Sequence, residues 1–515
     1  MARTLQAGAG TLARRRAGGL LPDLVAGVSV ALVLIPQSLA YAELAGMPAY
    51  RGLYAAALPL VVAGLLASSP YLQTGPVALT SLLTFAALSP LAIPGGDDYV
   101  ALGLVLAFVV GAVRLLLGLV RAGVLAYLLS QPMLMGFVPA AAVLIVASQL
   151  PAAVQVAAPD EGVLTAALWT LAHPGAWRPG ALLLGVATVA LMLVGRRLNP
   201  LFPGVLAAVL LGIGVSLATG YDGPTIGAIQ AGLPPLSVDL RWAEVPSLLL
   251  PGAVIALVGF AEPTSIARTF AIQERKRWDP DREFISQGAA NLVAGLSGGF
   301  PVGGSFSRSA LNRLAGARTR LSGLITGLAV LAFLPLAGLL APLPKAVLAA
   351  IVIGSVASLI RIPPLLRLWH HSRPQFAVAA ATFALTLLLA PRIEWAVLAG
   401  VGLAIAVHLW RELRIDVDVA SAGDTLVLRP KGVLWFGSAQ TLEQTFIDLL
   451  AANPQTKRLR VDLAGLGRID VTGVLSLQRV LQDARGAGLD IDLCGVHAAH
   501  RRLVHSILRA DRVPL

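Results

Sequence analysis

The short run Ser305-Phe306-Ser307-Arg308-Ser309 sets one arginine among three hydroxyls within apolar sequence. A guanidinium in a membrane segment costs at least about 2.5 to 3.5 kcal/mol on insertion scales, so such a residue faces a cavity and has a partner. A bound anion would serve as that partner. The other readings are that Arg308 snorkels inward with Arg313 or pairs with a buried carboxylate, and that the serines are small packing residues. Two carboxylates, Glu43 and Glu262, also fall inside apolar runs, where a carboxyl can carry a proton across low dielectric. Either could equally be the structural partner of an arginine.

Other chemistries find no support. There is no Gly-x-x-x-x-Gly-Lys phosphate loop, so ATP-driven transport by this chain alone is not expected. His370-His371 has no further ligands in sequence, which argues against a metal site. The lone Cys494 forms no intrachain disulfide and fits a reducing compartment. The expectation is a protein that is not an enzyme and uses no cofactor and no metal.

The elements that position these residues are set by composition. Only 13% of the 515 residues are charged, 57% are hydrophobic, and the mean hydropathy is +0.79. A soluble domain has roughly a quarter of its residues charged, so lipid is the solvent for most of the chain. The net charge of +12 lies in short Lys and Arg clusters between apolar runs rather than in a nucleic-acid patch. Counted against the roughly 20 residues a helix needs to cross a bilayer, the apolar runs between residues 23 and 411 number fourteen, not all of full length. The apolar stretch from Val163 to Leu171, flanked by Asp160, Glu161, His173 and Pro174, is expected at the outer interface.

With the N-terminus inside, the inward loops collect Arg196, Arg197, Arg268, Arg275, Lys276 and Arg277 among others, and the outward loops hold few. That asymmetry predicts an even number of spans with both ends cytoplasmic. Arg3, Arg14, Arg15 and Arg16 precede the first run without a small-residue cleavage site, so the first helix is expected to be retained.

Two runs are too short to cross. Those near 75–89 and 304–314 follow Pro- and Gly-rich sequence and hold the third and tenth places, which are equivalent positions in two sevens. Such paired, interrupted segments point to inverted repeats whose half-helices start at the membrane midplane. Their unpaired N–H groups and positive dipole ends would together favour an anion.

The first run reads Ile35-Pro36-Gln37-Ser38-Leu39-Ala40-Tyr41-Ala42, followed by Leu44-Ala45-Gly46 and Gly52-Leu53-Tyr54. With Gly75-Pro76, Gly118-Leu119-Val120-Arg121-Ala122-Gly123, Leu129-Ser130-Gln131-Pro132, Gly136-Phe137 and Phe306-Ser307-Arg308-Ser309, the chain resembles the sulfate permease family of anion transporters from about Leu24 to its C-terminus. The resemblance implies fourteen spans in a seven-plus-seven inverted repeat divided into core and gate, usually as a homodimer with a terminal STAS domain. It also implies an anion held between the third and tenth half-helices.

Carried over by residue, the resemblance makes Gln37, Tyr41, Ser307 and Arg308 anion-lining groups, joined by Gly75, Val77, Ser305 and Phe306 at the half-helix starts. Gln37 has a second reading, as a cap for a carbonyl freed by Pro36. Where relatives often have Ser-Arg before the third half-helix this chain has Ser69-Pro70, and Val77 stands where some carry a larger aromatic. Both differences weaken the case for a small, halide-sized site.

After the charged run Arg411-Glu412-Leu413-Arg414, short strands at 426–428, 433–436, 460–463 and 490–493 alternate with helical stretches, which reads as a compact α/β domain. It resembles the STAS fold of anti-sigma-factor antagonists, in which a serine at a helix N-terminus can be phosphorylated. Here that turn is Asp470-Val471-Thr472-Gly473, so Thr472 is either a regulatory site or a helix cap.

The expected organisation is a cytoplasmic segment at 1–22, a transmembrane anion-transport domain at 23–411 and a cytoplasmic STAS domain at 412–515. The expected function is secondary active transport of sulfate, bicarbonate or a dicarboxylate across the inner membrane, with a proton as co-substrate. Glu43 is the preferred carrier because its helix also holds Gln37 and Tyr41. A passive anion channel, exchanger or motor-like protein is the alternative. So is a nucleobase carrier, which should lack Arg308 and carry an acidic group for ring N–H donors.

Overall fold

The computed structural model describes residues 20–124, 130–159, 161–199, 201–229 and 232–508. Arg3, Arg14, Arg15, Arg16, Leu129 and Asp160 lie outside them, as does most of segment 1–22. The chain forms two compact units, 1–401 and 402–515.

The first unit is helical because apolar backbone in lipid must satisfy every N–H and C=O internally. Its helices are α1 (Leu20–Leu44), α2 (Arg51–Ala56), α3 (Leu58–Leu66), α4 (Ala78–Leu88), α5 (Asp97–Leu119), α6 (Gln131–Val154), α7 (Val163–Ala172), α8 (Pro179–Leu198) and α9 (Gly204–Thr219). They continue as α10 (Val245–Glu274), α11 (Pro280–Leu296), α12 (Phe306–Leu314), α13 (Leu321–Phe333), α14 (Lys345–Val356), α15 (Ile362–His371), α16 (Arg373–Leu388) and α17 (Ile393–Glu412). Among the described residues, eight helices are long and apolar enough to cross a membrane by themselves. The expected short segments are α4 and α12, of 11 and 9 residues.

Packing sorts the helices into two groups. In the first, α5 packs on α10 and α11, and α13 packs on α1 and α3. In the second, α6 packs on α14 and α16, and α8 on α9 and α14. These are spans 1–4 with 8–11, and spans 5–7 with 12–14, the core and gate of an inverted repeat. The repeat extends to two short extra helices: α7 follows the fifth span and α15 the twelfth. The sequence reading foresaw only α7.

Close helix approach in the first group rests on glycine. A Cβ on Gly288 would stand 2.5 Å from the Leu115 nitrogen, and one on Gly111 would stand 2.5 Å from that of Leu292. Without a hydrophobic drive between helices, small residues that let backbones touch supply the packing.

The second unit holds β3 (Asp416–Ala422), β4 (Thr425–Leu434), α18 (Phe436–Ala452), β5 (Arg458–Asp462), β6 (Leu466–Ile469), α19 (Val471–Gly486), β7 (Asp490–Cys494) and α20 (Ala498–Leu508). The sheet order is β3-β4-β5-β7, with β6 also on β4; β3 is antiparallel and the rest parallel. The strands expected at 426–428 and 433–436 are one strand, with an irregularity at Gly432/Val433, and Phe436 begins a helix instead. Phe446, Leu428, Leu459, Val474 and Leu481 are fully buried in its core.

Candidate functional site

Two chain reversals meet inside the first helix group. Thr74-Gly75 (β1) pairs antiparallel with Gly303-Gly304 (β2), Thr74 opposite Gly304 and Gly75 opposite Gly303. Local sequence dictates the extended backbone: Gly75 sits at φ 149, which side chains rarely adopt, and Pro76 brings no N–H. The Ser305 N–H donates to the Gln73 carbonyl at 3.0 Å, and the Gln73 N–H donates to Ser309 Oγ at 2.9 Å. The half-helices α4 and α12 therefore leave one small ribbon, with the positive dipole ends of both first turns beside it.

Arg308 is fully buried in the first turn of α12. Its Nη1 donates to Gln37 Oε1 on α1 at 3.5 Å, while Nε and Nη2 have no acceptor among the described residues. Burying such donors costs about 1 to 3 kcal/mol each, more for a charged group. An oxyanion would offset that cost with the charge-assisted, forked bonds for which guanidinium is shaped. Ser305 caps α12, its Oγ accepting from the Arg308 N–H at 3.4 Å, and lies 3.3 Å from Ser307 Oγ. Tyr41, buried on α1, feels the charges of Arg308 and Glu262. Val77 precedes α4 and packs beside Gly303.

Glu262, half-buried on α10, accepts from the Phe306 N–H at 3.1 Å. Both residues line a cavity of about 650 Å³ that continues past Thr264 and Ser265 to Arg268 and is closed on its far side by α6. Ten residues of α10 separate Glu262 from Ile272 at the other end, about 15 Å of helix. Ser307 lines a separate cavity of about 220 Å³ on the opposite side of α12, together with Val33 and Arg196.

Gln37, Tyr41, Gly75, Val77, Ser305, Phe306, Ser307, Arg308 and Glu262 are thus gathered around the start of α12. Glu43 is not among them. It forms a 2.9 Å ion pair with Lys345 at the start of α14. Thr472 is exposed on the first turn of α19, and the cap there is Asp470, which accepts from the Gly473 N–H at 2.7 Å. Among the described residues, no group of His, Cys, Asp or Glu is arranged to hold a metal ion.

Three buried charges, Asp23, Arg114 and Glu283, escaped the sequence reading, and of these Arg114 lies well inside an apolar helix, which is itself the signal. Arg114 on α5 bonds three backbone carbonyls. Glu283 on α11 accepts from the N–H groups of Ser68 and Ser69, at 3.2 and 3.0 Å, and fixes the turn that leads to β1.

Gly75 offers a direct test of the ribbon. A Cβ there would stand 3.4 Å from Arg308 Nη2 and would require a backbone region costing about 1 to 3 kcal/mol. Gly75→Ala should therefore lower anion affinity and melting temperature together, read by titration calorimetry and thermal denaturation.

Comparison with known proteins follows the same division. A model described as the sulfate permease family matches residues 20–382, and one described as the STAS domain matches 416–511. A protein of Mycobacterium tuberculosis named "Probable sulfate transporter" is 36% identical over 397 residues, covering 74% of this chain and 69% of its own. The sodium-independent sulfate anion transporter of Bos taurus is 30% identical over 525 residues, covering 94% and 85%. Among solved structures, the transmembrane domain of a cyanobacterial bicarbonate transporter superposes with a TM-score of 0.64 at 26% identity, covering 73% of this chain and 97% of its own. The murine solute carrier 26 member A9 anion transporter, inward-facing, gives 0.85 at 19% identity over 96% and 88%.

Proposed function

Because this chain belongs to the sulfate permease family of multi-pass membrane anion transporters, we propose that it is a proton-coupled secondary transporter of a small oxyanion, of the sulfate, bicarbonate or dicarboxylate class. The anion binds between α4 and α12 and crosses by alternating access as the first helix group moves against the second. The observation that carries this reading is the pair of buried Arg308 donors left without a protein acceptor where two half-helices begin.

The cavity from Glu262 to Arg268 is the cytoplasmic approach, since it runs along α10 toward Arg275, Lys276 and Arg277, the basic cluster that charge asymmetry assigns to the inside. On the same argument both termini are cytoplasmic, and family membership is the ground for taking the protein as an inner-membrane homodimer. Gln37, Tyr41 and Ser305 orient the ligand around Arg308, Ser307 acts on it through its 3.3 Å contact with Ser305 Oγ, and Gly75, Val77 and Phe306 shape the space beside it. The proton is carried by Glu262, the carboxylate at the start of α12, in preference to Glu43, which is occupied by Lys345. Thr472 is a candidate phosphorylation site.

Counterflow in proteoliposomes against sulfate, bicarbonate, chloride and dicarboxylates, with internal pH recorded, tests the assignment. Exchange of an oxyanion accompanied by proton movement is the expected result, and no exchange of any of them removes it.

Every proposed ligand lies before residue 401, so the second unit is a modulator. A protein ending after Arg411 should bind anion with an affinity within about threefold of the parent's, an energy difference of about 0.6 kcal/mol, although its rate or assembly changes. A well-folded truncation without anion binding would show that 412–515 helps build the site.

A further inference from the structure

We infer that Arg114 is a second fixed positive charge of the anion site and sets its preference for divalent over monovalent anions. The inference rests on the half-helix crossing being the anion site. Arg114 is fully buried in the C-terminal half of α5. Its Nε donates to the Ala256 carbonyl at 3.0 Å, Nη2 to Ile255 at 3.2 Å, and Nη1 to Val302 at 2.9 Å. Carbonyls satisfy its hydrogen bonds but bring only partial charge, and no carboxylate pairs with it among the described residues. A full positive charge is thus held in low dielectric without a counter-charge, a costly arrangement unless something negative comes near.

Its position says where that negative charge arrives. Val302 directly precedes β2 and is fixed again by Asn291, which accepts from its N–H at 2.9 Å and donates to its carbonyl at 3.1 Å. From the same helix Gln287 donates to Thr74 Oγ1 of β1 at 2.6 Å. A Cβ on Gly259 would lie 2.7 Å from Arg114 Nη2 and 3.0 Å from Thr80 Cγ2, so Gly259 alone stands between the guanidinium and the first turn of α4. Arg308 stands at the first turn of α12, across the ribbon. The crossing therefore has a buried guanidinium behind each half-helix start, Arg308 with the Glu262 carboxyl nearby and Arg114 without any acid paired to it among the described residues. Arg114 touches no ligand itself; it acts through the field, with its carbonyl bonds holding α5, α10 and β2 in register.

A fixed charge acts on a bound ion in proportion to the ion's valence. Removing it should cost a divalent anion the square of the factor it costs a monovalent one, whereas a merely structural role would cost both alike. Dissociation constants of sulfate and nitrate, measured by titration calorimetry on the full chain in detergent, supply the test. Arg114→Gln should weaken nitrate about tenfold and sulfate about a hundredfold. Arg114→Lys, which keeps the charge but loses the fork, should leave the sulfate-to-nitrate ratio within about twofold of the parent's.

Equal losses in Arg114→Gln, or a ratio in Arg114→Lys shifted toward nitrate, would overturn the inference. If the glutamine variant does not fold, the same two constants are read on Arg114→Met, an unbranched side chain that removes the charge without burying an amide, and equal losses there overturn the inference. Arg308→Ala, run alongside, separates the two claims: unchanged sulfate binding there would overturn the site itself. Equal losses in Arg114→Gln together with lost sulfate binding in Arg308→Ala would overturn only the role of the Arg114 charge.

Discussion

Arg308→Ala is expected to abolish anion uptake and to weaken binding about a hundredfold or more while the protein still folds. The magnitude follows from two charge-assisted hydrogen bonds, at about 1.5 to 3 kcal/mol each, that the buried Nε and Nη2 would give a ligand. Loss of the charge beneath a desolvated anion adds to this. The expectation that folding survives rests on how little the protein asks of this side chain, whose one side-chain hydrogen bond among the described residues is to Gln37 at 3.5 Å. Removing it leaves no partner charge stranded and relieves the burial of an unpaired cation. Arg308→Lys should fall between, because a point charge remains but the planar fork is lost. Binding by calorimetry and uptake in proteoliposomes, with thermal denaturation as control, provide the readout. Parent-like uptake by correctly assembled Arg308→Ala would take Arg308 out of the site.

That arginine was legible in sequence because one residue type stood against its solvent. The two half-helices were legible for a similar reason, since Gly75-Pro76 and Gly303-Gly304 interrupt apolar runs already too short to cross. What escaped was contact between distant segments. Nothing local in Thr74-Gly75 announces that it pairs with Gly303-Gly304, more than two hundred residues on. Nor does Glu43 reveal Lys345 as its partner, since that pair depends on how the first and twelfth spans cross. Arg114 escaped because its surroundings were counted as a span by average hydropathy, which one arginine barely lowers across the 23 residues of α5. Helix α15 has a strongly apolar face and a basic one, and in sequence it reads as a loop between two membrane runs. The β4 strand read as two because Pro430 and Gly432 break its pattern, whereas in the fold the bulge absorbs them.

The carboxylate question is the one in which geometry moved the proposal, and Glu262→Gln carries its largest expected effect. Glu262 sits where an ionised group would compete with substrate: its Oε1 already takes the Phe306 N–H at the start of α12, and Arg308 is near. Tyr41 on α1 and Arg268 along the cavity are the other charged or titratable groups around it. When ionised, Glu262 offsets the positive charge that would hold the anion. Once protonated, it frees that charge. Proton and anion therefore promote each other's binding, and by linkage the promotion is reciprocal. The sign is that anion uptake should rise as external pH falls. Glu262→Gln imitates the protonated form, so anion affinity should no longer depend on pH and anion exchange should persist without proton movement. Uptake against a gradient should drop to the level of passive equilibration. Glu43→Gln, which removes only one side of the pair with Lys345, should keep the parent's pH dependence. Uptake of labelled sulfate into proteoliposomes, with and without an imposed pH gradient, reads all three proteins. If the parent ignores that gradient and Glu262→Gln behaves like it, passive exchange or sodium coupling becomes the better account of the same site.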